Sequence, residues 1–82
     1  MPMHNEVAAK LQASRLERGW TQTELGTRLG DVLGAAPSRQ VLSAWEQGRK
    51  RFDVDEVAAF SKVFGTPITW WIGVTTNPAM VH

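Results

Sequence analysis

Apolar positions recur with a helical period along most of the chain, and start and stop signals cut that period into five segments. The first is predicted to begin at Asn5, a good N-cap, and to run to Arg18 before Gly19 stops it. Val7, Ala8 and Leu11 supply its buried stripe, and Leu16 is a candidate to extend it. Thr21 caps the second segment. Thr21 and Glu24 form a capping box, each side chain satisfying the other residue's free backbone amide. Leu25, Leu29, Val32 and Leu33 keep the spacing as far as Gly34. Gly30 is the weak point, since an interior glycine costs about 1 kcal/mol relative to alanine.

Ala35, Ala36 and Pro37 form a connector, and Ser38 caps a third segment that runs to Glu46 or Gln47 and ends at Gly48. Its inward face is Val41, Leu42 and Trp45; its outward face is Arg39, Gln40 and Ser43, with Ala44 at the margin. Asp53 and Glu56 make a second capping box. Val54, Val57, Ala58, Phe60, Val63 and Phe64 follow as a broad apolar stripe up to Gly65. Thr66 then Pro67 is an N-cap with proline at the first helical position, opening a short fifth helix through Ile68, Trp70, Trp71 and Ile72 to Gly73. No segment reads as a strand. Residues 74–82 have no period and read as a tail, loosely ordered unless a partner holds it. The predicted fold is all-α: a compact five-helix bundle over residues 1–73, followed by that tail.

Composition narrows the function by exclusion. A chain of 82 residues makes one small domain. There is no cysteine, so disulfides, thiolate metal sites and thiol catalysis are out. His4 and His82 stand near opposite ends and give no metal site or triad. There is no phosphate-binding glycine loop and no metal-ligand spacing, so neither an enzyme nor a cofactor is expected. No apolar run approaches the roughly 20 residues of a membrane span. No basic region leads a long apolar stretch at the N-terminus, so no secretory signal is expected and the cytoplasm is the simplest placement. The net charge of +1 carries little information by itself. Its distribution carries more: Arg39, Arg49, Lys50 and Arg51 lie close in sequence, opposed locally only by Glu46.

The second and third segments, joined by a brief connector, have the one-dimensional form of a helix-turn-helix. An α-helix fits the major groove of B-DNA, and its N-terminal side chains reach the base edges. Arg39 and Gln40 come first after the Ser38 cap; arginine can bridge guanine O6 and N7, and glutamine adenine N6 and N7. Ser43, one turn on, can bond a base or a phosphate, and Ala44 can touch a thymine methyl. Gln22 and Thr23, at the start of the second helix, are candidates for phosphate, as are Ser38, Arg49, Lys50 and Arg51. Arg28 is an outlying candidate. Adjacent residues on a helix point about 100° apart, so Trp70 and Trp71 cannot both face one core. The surplus ring is available to a dimer contact or to the tail.

The stretches RLERGWTQTELGTRLG, SRQVLSAWEQGRKR and VFGTPITWWIG together resemble the Cro/repressor-type (XRE) helix-turn-helix family, whose domain is lambda-repressor-like. The resemblance covers residues 11–73. It implies a domain that binds double-stranded DNA as a homodimer, with no cofactor. It implies that Arg15 pairs with Glu46, tying the first helix to the third. It implies DNA contacts at Gln22, Arg39, Gln40 and Ser43, with Ala44 in some members, and dimerisation through the fifth helix. Two departures stand out: residues 31–37 lengthen a turn that is usually tight, and Gly26 replaces a usual alanine. The leading expectation is a small transcriptional repressor of phage or bacterial type, acting by operator occupancy. The alternative is a protein-interaction module on the same fold, an antitoxin or adaptor, with a protein partner held by the C-terminal helix and tail.

Overall fold

The computed structural model describes residues 3–72, with side chains from Glu6 onward. Five helices account for the regular structure among these residues: α1 (Met3–Glu17), α2 (Gln22–Leu33), α3 (Arg39–Glu46), α4 (Val54–Phe64) and α5 (Ile68–Ile72). The tail, residue 73 and the side chain of Asn5 lie outside the described residues. α1 begins at Met3, so Asn5 lies inside the helix and is not its cap; nothing in Met3 or His4 opposes helix.

The local signals act as their chemistry requires. Thr21 accepts from the Glu24 amide while the Glu24 carboxylate accepts from the Thr21 amide, and Asp53 with Glu56 repeats the pattern. α2 runs through Gly30 to Leu33, and Gly34 closes it in the left-handed region. Behind α3, the amide of Gly48 bonds the Trp45 carbonyl and that of Arg49 the Ala44 carbonyl. This pattern needs a left-handed residue, and Gly48 supplies it with φ +75°.

The core draws on every helix: Val7, Ala8 and Leu11 from α1, Leu25 and Leu29 from α2, Leu42 and Trp45 from α3, Val57, Ala59, Phe60 and Phe64 from α4, and Trp71 from α5. Phe60 is its aromatic centre, with ring centroids 5.5 Å from Trp45, Phe52 and Trp71. Four apolar positions on the predicted stripes face outward instead. Leu16 is 60% exposed and Val54 74%. The core side of α1 descends from Leu11 by four residues to Arg15, so Leu16 points past it. Val32 and Leu33, on the last turn of α2, are also exposed, and they line an open groove against one side of α4.

The lengthened turn divides into two parts. Residues 31–33 prolong α2, and the chain then doubles back across the helix it has just left. A Cβ at Gly30 would stand 3.0 Å from the backbone N and Cα of Ala36; one at Gly26 would stand 3.1 Å from Leu42 Cδ1 and 3.3 Å from the Pro37 carbonyl oxygen. Gly26 and Gly30, four residues apart, form one bare face on which the connector and α3 settle. Backbone cannot yield there as a flexible side chain can. Gly30→Ala is therefore expected to lower stability by about 1–2 kcal/mol, overpacking outweighing the roughly 1 kcal/mol gained in helix propensity. Urea unfolding measures it, with exposed Thr27→Ala as a control held within about 0.5 kcal/mol.

Candidate nucleic-acid interface

α3 is eight residues long and has two faces. Ser38, in extended backbone, accepts from the Val41 amide at 3.2 Å and starts the helix. Leu42 and Trp45 anchor it in the core, and Val41 packs at the core's edge. Arg39 and Gln40 occupy its first turn, exposed, with no hydrogen bond from either side chain among the described residues. One turn on, Ser43 and Ala44 are half-buried. Ser43 Oγ accepts from Gln47 Nε2 at 3.1 Å, and Gln47 Oε1 accepts from Arg49 Nε at 2.8 Å. A short chain of side chains thus links the middle of α3 to the basic run behind it. Gln47 is predicted only as a helix end; its place four residues after Ser43 on the outward side is the sequence signal for this link. Arg49, Lys50 and Arg51 are all exposed.

The far end of α3 is held by a charge. Glu46 is 7% exposed and receives Arg15 Nε at 2.7 Å on Oε2 and Arg15 Nη2 at 3.0 Å on Oε1. Arg15 Nη1 donates to the Trp20 carbonyl at 2.8 Å, and Gln22 Nε2 adds a third bond to Glu46 at 3.2 Å. Gln22, a candidate for phosphate, is half-buried, and its carboxamide commits one N–H to Glu46. Its second N–H remains. Thr23 is exposed at the start of α2, and the backbone amides of both residues lie outside the capping box. Arg28 lies over the Trp20 ring, 4.2 Å from its centroid, which accounts for that outlying cation as a brace on the α1–α2 corner.

The tryptophan pair divides as the 100° rule requires. Trp71 is fully buried between Phe60 and Phe64, and its Nε1 donates to Thr66 Oγ1 at 2.8 Å. It has no surface to offer a second chain, so its expected place in a dimer interface is corrected. Trp70 is 40% exposed, edge-on to Trp71, with Lys10 Nζ 5.0 Å from its ring centre.

Among the described residues, no group of His, Cys, Asp and Glu could hold a metal, and no helix is long and apolar enough to cross a membrane. An exposed first turn of polar side chains, a helix fixed from behind and a basic run after it make up a helix-turn-helix domain. The helix-turn-helix family model HTH_3 matches residues 11–71, and the chain belongs to that family, of the Cro/repressor (XRE) type. It is a DNA-binding transcription regulator, and its family is regulatory and not enzymatic. No curated protein and no solved structure matches the chain significantly.

Removing one partner of the buried pair leaves the other charge without compensation. Glu46→Ala is expected to cost about 3–5 kcal/mol, and the apolar double replacement Arg15→Met with Glu46→Leu to cost less than that single change. Denaturant melts of the two variants compare them directly.

Proposed function

We propose that the protein is a sequence-specific repressor that binds its operator as a homodimer and acts by excluding polymerase. The observation that carries this reading is the state of Arg39 and Gln40. Both are exposed and lack partners among the described residues, at the leading turn of a helix whose other end is immobilised. In this reading Arg39 bridges a guanine, Gln40 an adenine, and Ser43 bonds a base or a phosphate while held by Gln47. Ala44 touches a thymine methyl from the margin of the face. Ser38, Thr23, Arg49, Lys50, Arg51 and the free N–H of Gln22 take phosphates, which set register without reading sequence. Two copies read half-sites about 34 Å apart.

The test begins with selection of bound sequences from random DNA, which should yield an inverted repeat. On that site Arg39→Ala is expected to lose about 1–3 kcal/mol of affinity while binding to scrambled DNA changes little. Lys50→Ala should weaken both alike and flatten the log–log salt dependence by about 0.9. Equal losses on cognate and scrambled DNA for Arg39→Ala would remove it from the base-reading role. No DNA affinity at low salt, together with co-purification of an unrelated chain, would favour the adaptor reading.

A further inference from the structure

The exposed end of α2 and one side of α4 enclose a groove of about 330 Å³, lined by Val32, Leu33, Asp55, Ala58, Ala59 and Lys62. Val32 is 41% exposed and Leu33 37%. Val54, more exposed still, lies four residues before Ala58 and lengthens the apolar stripe along α4. Among the described residues neither Asp55 nor Lys62 is in an ion pair. They stand seven residues apart on α4, two turns or about 10 Å along one side of the helix. The groove is therefore apolar in the middle, with an acid at one end and a base at the other.

That arrangement is self-complementary. The midpoint between Asp55 and Lys62 falls between Ala58 and Ala59. A two-fold axis through that point lays α4 antiparallel on the partner's α4 and brings each Asp55 against the partner's Lys62. The same axis puts Ala58, half-buried, at the crossing, where a small side chain lets the backbones approach, while Ala59 beneath it stays in the core. Val32 and Leu33 flank the crossing and lose their water. An isologous contact requires a surface in which residue i meets residue j and j meets i, and this groove has that property.

We infer that the groove between α2 and α4 is the dimer seam of this protein and that its occupant is a second copy of the same chain. The inference rests on the proposed dimeric repressor and gives it an interface distinct from α5. Sedimentation equilibrium of the full chain, without DNA, tests it. Failure here leaves the base-reading proposal intact, and failure of operator binding leaves this test intact. Wild type should show a concentration-dependent monomer–dimer equilibrium. Lys62→Glu and Asp55→Lys each place two like-charge contacts across the axis and should weaken association roughly tenfold. The double exchange should restore it to within about threefold of wild type, and an equimolar mixture of the two single variants should associate more tightly than either alone.

Leu33→Lys adds a cation at the C-terminal end of α2, where the helix tolerates it, and should also weaken the dimer. Circular dichroism checks that each variant keeps its helix content. Trp70→Ala should leave association unchanged. A chain that stays monomeric to about 1 mM, the bound at which a dimer would contribute only ~4 kcal/mol, overturns the inference. So do charge reversals and Leu33→Lys without effect, or weakening by Trp70→Ala alone.

Discussion

One buried carboxylate organises this domain. Glu46 sits at the inner end of α3 and collects Arg15 from α1 and Gln22 from α2, while Arg15 also holds the Trp20 carbonyl in the turn between those helices. Apolar packing of the same volume would join the three helices, but it has no direction and would let α3 rotate or slide. A two-point guanidinium–carboxylate bond fixes both orientation and distance. Removing two charges from water is costly, so the pair is a poor source of stability and a good source of geometry. What it fixes is the roll of α3 about its axis, which decides which side chains face out.

The roll matters because α3 is short. A helix of this length is not stable alone in water. Its structure is imposed from outside: Ser38 at its start, Gly48 at its end, Leu42 and Trp45 in the core, and Glu46 on Arg15. With the inner side so committed, the first turn can leave Arg39 and Gln40 unpartnered in a helix that is already rigid. Long side chains on a fixed base lose less entropy on binding than the same side chains on a helix that must also fold. Ser43, Gln47 and Arg49 extend the order outward, so part of the basic run is tied to α3.

The features legible in the sequence are those decided within one turn of helix. The capping boxes at Thr21 and Asp53, the Ser38 cap and the stop at Gly34 depend on residues three or four apart, and no distant contact overrides them. The core assignments for Leu25, Leu29, Leu42, Trp45 and Phe60 were also readable, since their helices have neighbours along that length. The sequence pattern is silent where a second element decides the outcome. Leu16 and Val54 fit a period, but exposure depends on whether another helix reaches that far, and among the described residues none does. Glu46, 24 residues on, takes one hydrogen of the Gln22 carboxamide, a contact that no spacing within α2 shows. Spacing within α5 separates Trp70 from Trp71 but does not say which of them faces the core; Phe60 and Phe64 on α4 decide that.

The two departures from the usual family pattern, a long connector and a glycine in α2, are one device. Extending α2 by residues 31–33 carries the chain away from the place where α3 must begin. The shortest return crosses α2 itself, and backbone can lie that close only to a face without side chains. Gly30 meets Ala36 there and Gly26 meets Pro37 and Leu42, so the loss of helix propensity at two positions is offset by direct contact of connector and helix. A normal alanine at either place would push the return path outward and α3 with it. The extension has a second effect. It lifts Val32 and Leu33 past the cover of the core and sets them beside Ala58 on α4. A monomer gains nothing from apolar side chains left in water; a chain that meets its own copy across α4 does.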